Sequence, residues 1–280
     1  MSHVAESVAQ PRKRAPWGPV LGDLPPEEMV ADVDWSRWYL DEDEMAESYE
    51  QGAIIRTLLS CLSELARQRG WQRVLFGADN YFAWVREEPR VRVSPDVYLM
   101  DDPPEPPMPA GWQTWLPGHH PPRWAVEIVS SDWRKDYQEA PAKYAQLGSR
   151  ELVLFDPEVA RGAVTHKSRV PLTVYQRGAD GPLVKVFSGA GPARSVEIDA
   201  WLQVRCEKGL ARLRLSTDEA GVELVPTESE RAQAEAQNAA KEAQNAAREA
   251  QRADAEAQRR AEAERRLREM EERLRRIEKP

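Results

Sequence analysis

One carboxylate stands inside an apolar segment of the chain. Glu127 occupies the centre of the sequence AVEIV, which predicts a buried strand. A carboxylate without a partner in such a place costs several kcal/mol, so something in the folded protein must compensate it. Two explanations stay open from the residues alone. One is a structural partner such as Arg123 or Arg150, and the other is a metal-binding or catalytic role for Glu127 itself.

A second carboxylate follows a proline at a kink in another predicted strand. Asp96 comes after Pro95 in VRVSPDVYLM, and Pro-Asp taken alone is ordinary turn chemistry. If the two strands are neighbours, Asp96 and Glu127 repel each other unless a cation lies between them. Paired carboxylates are typical ligands of Mg²⁺, because this ion takes few protein oxygens and keeps several waters.

Two further side chains could belong to the same site, although each also has an ordinary structural explanation. Lys143 lies on the helix that follows the Glu127 strand, and a helix that returns over the sheet can bring a lysine back toward the carboxylates. Taken alone, Lys143 is a surface lysine. Glu47 belongs to an acidic stretch that leads into the first helix, which is most simply a solvated helix start.

The elements before Glu127 are one helix and several strands. A helix is predicted over Ala53–Gln68, where apolar residues recur every three or four positions, and Gly70 ends it. Segments rich in β-branched and aromatic residues predict strands at Trp71–Gly77, Asn80–Val85 and Val91–Met100. The Pro-rich insert from Asp101 to Pro122 is predicted to be a loop without a regular element.

The Glu127 segment opens a strand, helix, strand sequence. Arg123–Ser130 predicts a buried strand, and Lys135–Leu147 predicts a helix. Gly148 ends that helix, and Glu151–Asp156 predicts a second buried strand, so the two strands are joined by a crossover and run parallel. Shorter strands extend the sheet in antiparallel fashion, at Gly162–Lys167, Leu172–Gln176 and Val184–Ser188. The predicted fold class is α/β (α+β) with one mixed β-sheet.

Composition narrows the class of protein. The chain has 280 residues, 41% of them hydrophobic, and ten Trp, which is enough for a folded domain. Two Cys are too few for a disulfide scaffold or a cysteine zinc cluster, and both are expected to be buried, reduced thiols. No apolar run has the roughly 20 residues of a membrane span, and the N-terminus lacks the apolar segment of a signal peptide. We therefore expect a cytoplasmic protein.

The charge distribution limits the ways in which the chain can handle nucleic acid. A formal net charge of −8 argues against a general nucleic-acid coat, because such binding requires many Lys and Arg. The segment from Glu228 to Pro280 carries equal numbers of acidic and basic residues, so the whole excess lies in the front part. Phosphodiester chemistry there would need a metal ion or a local basic patch.

Three regions are expected along the chain. Residues 1–26 predict a disordered arm, and residues 27–226 predict the folded domain. Residues 227–280 predict an Ala-rich heptad helix, because the tail repeats every seven residues and carries a stripe of Ala. This helix is expected to form a coiled coil with a second copy or a partner helix. A solvated single helix held by Glu/Arg pairs is the alternative.

Three motifs occur in order along the chain, namely SPDVYL, WAVEIVS and DYQEAPAKYAQLGSRELVLFDPE. With these motifs, the region from roughly Asp43 to Pro226 resembles the Uma-two (Uma2) family of restriction endonucleases, a branch of the PD-(D/E)XK nuclease superfamily. The resemblance implies a restriction-endonuclease-like mixed sheet flanked by helices. It also implies a metal-dependent endonuclease that acts on DNA.

The resemblance implies roles for single residues as well. Asp96 and Glu127 would bind a divalent ion, Mg²⁺ or Mn²⁺. Lys143 would orient water or neutralise charge that develops on the phosphate, and Glu47 would assist from the first helix. This chemistry is consistent, because bound Mg²⁺ polarises a phosphodiester and lowers the pKa of its water, while an ammonium group stabilises the transition state.

The chain departs from the family pattern at three positions. Val129 stands two residues after the strand glutamate, where the superfamily has a lysine, and Ala140 stands where many relatives place a lysine on the helix. Gln51 occupies the position where relatives often have His. Lys143, one turn after Ala140, is then the nearest substitute, and Lys135 stays open as the alternative.

A Mg²⁺-dependent DNA endonuclease-like domain with a C-terminal helix for self-association or partner docking is the first hypothesis. One rival is a catalytically silent nuclease-fold binding module, in which Asp96 and Glu127 persist as a structural pair. The other rival is an interaction scaffold whose working part is the coiled coil. Divalent-metal binding separates the first hypothesis from both rivals, and deletion of the tail separates the scaffold from the others.

Overall fold

The computed structural model describes residues 48–178, 181–207 and 209–277, and over these residues the chain forms a mixed α/β fold. Helices flank a six-stranded mixed sheet, and two three-stranded sheets complete the fold. The predicted fold class, a mixed β-sheet flanked by helices, is confirmed. The arm predicted at residues 1–26 lies outside the described residues.

The elements follow one another along the chain with short connections. The helices are α1 (Tyr49–Arg69), α2 (Ala140–Leu147), α3 (Pro157–Ala160) and α4 (Glu228–Ile277). The strands are β1 (Val74–Gly77), β2 (Tyr81–Ala83), β3 (Arg92–Val93), β4 (Val97–Asp101), β5 (Gly111–Gln113), β6 (Trp124–Ile128), β7 (Glu151–Phe155), β8 (Leu172–Arg177), β9 (Leu183–Gly189), β10 (Ala193–Ser195), β11 (Ala200–Glu207) and β12 (Leu210–Ser216). The large sheet has the order β1-β4-β6-β7-β8-β9, and the small sheets have the orders β3-β2-β5 and β10-β11-β12.

Both ends of α1 are determined by local capping. The Ser48 side chain accepts a hydrogen bond from the Gln51 amide at 3.1 Å, which satisfies one free N–H of the first turn. Gly70 ends the helix in the left-handed region with a φ of 65°, where a residue without Cβ is favoured. The predicted helix and its C-terminal glycine are confirmed. The apolar face of α1 is buried against the sheet through Ile54, Leu58, Leu62 and Leu65.

The predicted crossover is present. β6 and β7 are parallel neighbours, with Glu127 paired to Leu154, and β8 and β9 follow in antiparallel order. The connection begins with a π-helical turn over Lys135–Glu139 and continues as α2, which ends at Gly148 with a φ of 100°. The predicted helix therefore exists, but its first turn is wider than an α-helix. Turns of this kind often occur at functional sites.

The large sheet is covered on both faces, and the alternation of side chains along β6 decides where Glu127 points. Val126 and Ile128 belong to the core shared with α1, β11 and β12. Ala125 and Val129 belong to the other core, which contains Tyr144 of α2. Because successive side chains of a strand point to opposite faces, Glu127 lies on the α2 face.

One predicted loop and one predicted strand are wrong. The Pro-rich insert contains β5, which pairs in parallel with β2, because the burial of Trp112 gives this segment an apolar anchor. Residues 162–167 form no strand. The chain instead enters α3 after β7, since Asp156 caps that helix and its carboxylate pairs with the buried Arg169 at 2.7 Å.

The two thiols differ in exposure. Cys61 on α1 is buried, as expected, and its Sγ contacts the Val225 carbonyl at 3.4 Å. Cys206 is exposed, contrary to the expectation, because the last two residues of β11 extend beyond the buried part of the sheet.

The tail is one helix, α4, of 50 residues, which is about 75 Å long at about 1.5 Å per residue. Its first turns contact the domain, since the Glu228 amide donates to Ser60 Oγ at 2.8 Å and the Glu230 carboxylate pairs with buried Arg214 at 2.8 Å. Beyond them the described side chains are exposed. Over the described part of the chain, no helix combines the length and apolar character that crossing a membrane requires.

Candidate active site

β4 and β6 bring two carboxylates to adjacent positions. In this antiparallel pair Val97 lies opposite Val126, so the next position along each strand places Asp96 opposite Glu127. The Ile128 amide donates a hydrogen bond to Asp96 Oδ2 at 2.6 Å, which ties Asp96 to β6. The structure therefore brings together the two carboxylates that the sequence singles out.

Asp96 is buried and hydrogen-bonded at both oxygens. Gln51 Nε2 donates to Oδ1 at 2.6 Å, and the Ile128 amide donates to Oδ2. Burial, with a smaller contribution from the charges of Asp79 and Asp136, raises the pKa of Asp96 to about 6 despite these two donors. A carboxyl group with this pKa changes its charge near neutral pH.

Glu127 has a neutral partner. The Tyr144 hydroxyl, which is fully buried on α2, donates to Glu127 Oε1 at 2.6 Å. Burial raises the pKa of Glu127 well above its usual range, and the neighbouring Asp96 raises it further, while the Tyr144 hydrogen bond acts in the opposite direction. Burial also raises the pKa of Tyr144, so its hydroxyl stays a neutral donor.

Neither Arg123 nor Arg150 compensates the Glu127 carboxylate, contrary to the explanation by an arginine partner. Arg123 pairs with Asp101 at 2.9 Å, and Arg150 pairs with Glu197 at 3.7 Å. Among the residues that the structure describes, no cation forms an ion pair with Glu127. Its negative charge is therefore left for a bound ion or for a proton to compensate.

Asp136 adds a third carboxylate. It lies on the π-helical turn with 5% of its surface exposed, and its Oδ2 accepts a hydrogen bond from the Ser130 amide at 3.0 Å. Burial raises the pKa of Asp136, and the charge of Lys135 lowers it. Asp136 in turn raises the pKa of both Asp96 and Glu127, so the three carboxylates share one electrostatic environment.

A cleft of about 210 Å³ opens beside Glu127 and Asp136. Two acidic and three basic side chains line it, namely Glu127, Asp136, Arg92, Lys135 and Lys143. Val93 of β3, Ser94 directly after that strand and Ala140 of α2 complete the lining. The local basic patch that phosphodiester chemistry would need is therefore present around this cleft, although the chain as a whole is acidic.

The two candidate lysines have different surroundings. Lys143 Nζ pairs with Glu139 at 2.7 Å, and both side chains are about half exposed, at 46% and 59%. Lys135 stands one π-turn before Ala140, whose amide donates to the Lys135 carbonyl. The charge of Lys135 lowers the pKa of Glu127 and of Asp136, so this lysine acts on the carboxylates themselves.

The donor set fits a hard divalent ion. Asp96 and Glu127 offer carboxylate oxygens, and each oxygen of Asp96 accepts only one hydrogen bond, so lone pairs remain for a cation. Mg²⁺ suits such a place because it needs few protein ligands and keeps water. Within the described ranges, no group of three or more His, Cys, Asp or Glu side chains could hold a metal ion, so water would have to complete the coordination.

The predicted and observed site residues overlap in part. Asp96 and Glu127 are adjacent, Lys143 lines the same cleft as Glu127, and Glu47 lies outside the described residues. Residue patterns alone did not single out the buried Asp136, the Tyr144 hydroxyl or Arg92 as site residues. The motif DYQEAPAKY carried the signal for the first two, since its Asp and its second Tyr both lie on the crossover that covers Glu127.

Comparisons with known proteins give one family match and a similar solved structure. A family model described as "Uma2: Putative restriction endonuclease" matches residues 35–197. The chain is also similar to a crystal structure described as "a putative nuclease belonging to DUF820 from Anabaena variabilis", with 12% sequence identity, 54% of this chain and 74% of that chain covered, and a TM-score of 0.37. No curated protein matches the chain significantly.

The burial of Asp96 predicts a pH-dependent stability in the absence of metal. The pKa of Asp96 rises from 3.8 to about 6 on folding, so the folded state favours the protonated carboxyl group. The contribution of protonated Asp96 to the free energy of unfolding is therefore present in full below about pH 4 and is lost as the pH rises through 6. Asp96→Asn mimics that form, and Gln51 can turn its amide to accept the new N–H. We expect this variant to exceed the parent in free energy of unfolding by about 3 kcal/mol at about pH 8, with little difference at about pH 4. Urea unfolding in the presence of a chelator measures the free energy of unfolding of both proteins at the two pH values.

The matched control is Glu88→Gln. Glu88 is an exposed carboxylate whose pKa is lowered by its hydrogen bond from Arg90, so its effect on stability should be small and opposite in sign. A difference between Asp96→Asn and the parent that stays constant between these pH values would contradict the role assigned to burial.

Proposed function

Because this chain belongs to the Uma2 family of restriction endonucleases, we propose that it is a Mg²⁺-dependent DNA endonuclease whose active site is the cleft at Glu127. Its proposed substrate is DNA, its reaction is hydrolysis of phosphodiester bonds, and Mn²⁺ is the proposed substitute for Mg²⁺. Such an activity agrees with the cytoplasmic location expected from the sequence.

One observation carries this proposal. Asp96, Glu127 and Asp136 share a partly buried environment without an arginine partner among the described residues, and three basic side chains line the cleft together with Glu127 and Asp136. A purely structural cluster would be expected to contain its own compensating cation, because an uncompensated buried charge is strongly destabilising. A divalent ion supplies that compensation, and the basic side chains provide contacts for phosphate.

The residues of the chain have distinct proposed roles. Asp96 and Glu127 would hold the ion, which, when bound, polarises the phosphodiester and lowers the pKa of a water. Tyr144 keeps Glu127 oriented toward the cleft through its hydrogen bond. Lys143 would neutralise charge on the phosphate, and its exposed pair with Glu139 is weak enough to be exchanged for a phosphate oxygen. Lys135 favours the charged form of the carboxylates.

The tail has a separate proposed role in self-association. α4 carries exposed Leu267 and Met270 in its second half, and its Ala stripe faces no other described element along most of its length. Exposed ion pairs four residues apart, such as Arg266 with Glu262 at 2.7 Å, support the helix by themselves only weakly. Pairing with a second copy would bury the stripe and these apolar residues.

Metal binding is expected to stabilise the folded protein. At a concentration about 100 times the dissociation constant, Mg²⁺ or Mn²⁺ should add about 2.7 kcal/mol to the free energy of unfolding. For a chain of this size, that raises the melting temperature by about 5 °C or more. Glu127→Gln should remove the shift, because it removes the charge that attracts the ion. Thermal unfolding with metal or chelator measures it.

Glu88→Gln is the control for this experiment, since it removes an exposed carboxylate that does not line the cleft and should keep the shift. If Glu127→Gln responds to metal as strongly as the parent does, the ion does not bind at this site. The same protein must cleave plasmid or single-stranded DNA with Mg²⁺ or Mn²⁺ and not with chelator. Metal binding without cleavage would favour the silent binding module.

Lys143 is predicted to be needed for cleavage but not for metal binding. Lys143→Ala should lower the cleavage rate by about 100-fold or more, because an ammonium that stabilises the developing phosphate charge is lost. The metal-induced rise in melting temperature should remain, since the ammonium acts on the phosphate and not on the ion. Cleavage rates and melting curves of the same preparation measure the two effects.

Lys135→Ala is the paired variant, because both lysines line the cleft. We expect it to reduce cleavage less than Lys143→Ala does. The opposite order, with a large loss at Lys135 and a small loss at Lys143, would assign the phosphate-binding role to Lys135 instead.

Self-association through the tail is predicted to disappear on truncation. Removing residues 236–280 keeps Glu230 and Arg231, which pair with Arg214 and Glu64, so the front domain should stay folded. Light scattering should show a dimer or higher oligomer for the full chain and a lower oligomeric state for the truncated chain. An unchanged number of subunits after truncation would exclude the tail as the interface.

A further inference from the structure

Arg92 approaches the cleft from a different part of the fold than the two lysines do. It lies on β3, in the small sheet formed by β3, β2 and β5, whereas Lys135 and Lys143 lie on the crossover segment. β3 contacts α2, and the cleft opens between them. The carboxylates therefore have basic side chains on two sides, each supplied by a separate element.

The position of the Arg92 guanidinium is determined by an aromatic ring. Its Cζ lies 3.8 Å from the ring centroid of Tyr81, which has 46% of its surface exposed. Arg92 pairs across the sheet with Ala83, and Tyr81 stands two residues away on the same face of β2. The small Ala83 side chain leaves room for the arginine to lie across the sheet and stack on the ring.

Neighbouring residues explain why this cation is available to a ligand. Val93 and Phe82 are buried on the opposite face of the small sheet and anchor its strands. The Arg92 side chain can therefore face solvent. Arg90, two residues earlier, is already paired with Glu88 at 2.8 Å. Across the residues placed in the structure, no carboxylate pairs with Arg92. Its planar guanidinium is suited to a phosphate, which it can contact with two N–H groups.

We propose that Arg92 binds a non-scissile phosphate of the DNA strand in the cleft and that Tyr81 holds its guanidinium in the binding position. This inference rests on the proposed nuclease function and adds to it a substrate contact. Arg92 would act on the bound strand before and during cleavage alike, so it would contribute to substrate binding more than to the chemical step. The small sheet thus becomes a substrate-binding element of the fold.

The inference is tested by DNA binding in the Glu127→Gln background of the full chain, with chelator to prevent cleavage. Fluorescence anisotropy of a labelled duplex over a series of salt concentrations gives both the affinity and its salt dependence. Arg92→Ala should weaken binding by about 10-fold and should reduce the slope of log affinity against log salt by about one, because one phosphate contact is lost.

Three further variants separate charge from position. Arg92→Lys should keep the slope while it weakens binding partially, because it retains the charge and loses the planar contact. Tyr81→Ala should also keep the slope and raise the dissociation constant by about 3-fold, since the guanidinium is then less well held. Arg73→Ala, at an exposed ion pair with Asp102 outside the cleft lining, should change neither quantity.

Cleavage kinetics give an independent readout in the otherwise unchanged chain. Arg92→Ala should raise KM by about 10-fold and leave kcat within about 2-fold of the parent. This result is expected because Arg92 would contact the substrate and the transition state equally strongly. An unchanged salt slope and KM in a protein that binds and cleaves DNA would overturn the Arg92 assignment alone. A parent protein that neither binds nor cleaves DNA would overturn both this inference and the proposed function.

Discussion

The arrangement of the site depends on the mutual repulsion of carboxylates that are withdrawn from water. Asp136 raises the proton affinity of Asp96 and of Glu127, and Asp96 raises that of Glu127. The hydrogen-bond donors of the three carboxylates are neutral groups: a tyrosine hydroxyl, a glutamine amide, a serine hydroxyl and two backbone amides. Neutral donors orient these oxygens without neutralising them. Because no cation among the described residues pairs directly with these carboxylates, burial raises the pKa of all three.

The buried acid Asp156 is compensated differently. It pairs with the buried Arg169 at 2.7 Å, and this pair holds the chain between α3 and β8 against the end of β7. Glu151, by contrast, has neutral donors like those of the Glu127 cluster, namely Ser195, the Val196 amide and Gln176, which connect the large sheet to β10. Neither acid lines the cleft at Glu127, so the basic side chains around that cleft, and not burial by itself, support a functional explanation for the cluster.

One crossover segment supplies much of the candidate site. The π-helical turn carries Lys135 and Asp136, and α2 carries Lys143 and the tyrosine that contacts Glu127. Because the connection between parallel strands must pack on the sheet, its buried face necessarily covers the strand that it follows. The wider turn at its start places Lys135 and Ala140 on the cleft together. The proposed chemistry would therefore depend on the same segment that the fold requires, with the small sheet of β2, β3 and β5 opposite it.

The sequence by itself determined the local elements and the chemical character of the site. Apolar periodicity marked α1, the alternation of strand and helix marked the β6–α2–β7 crossover, and the apolar surroundings of Glu127 marked a carboxylate that needs compensation. These features depend on residues close together in the chain, so their spacing carries the information. The family motifs extended the prediction to a nuclease, which the family match over residues 35–197 bears out at the level of the family.

Only the tertiary structure decided which residues meet. The β4–β6 register sets Asp96 opposite Glu127, and the pairing of Arg123 and Arg150 with other acids leaves Glu127 without an arginine. The parallel pairing of β2 with β5 creates the sheet that presents Arg92 to the cleft, although a Pro-rich insert gave no sign of a strand there. Such contacts join residues that are distant in the chain. They depend on strand order and register, which the whole buried surface selects and which no local pattern encodes.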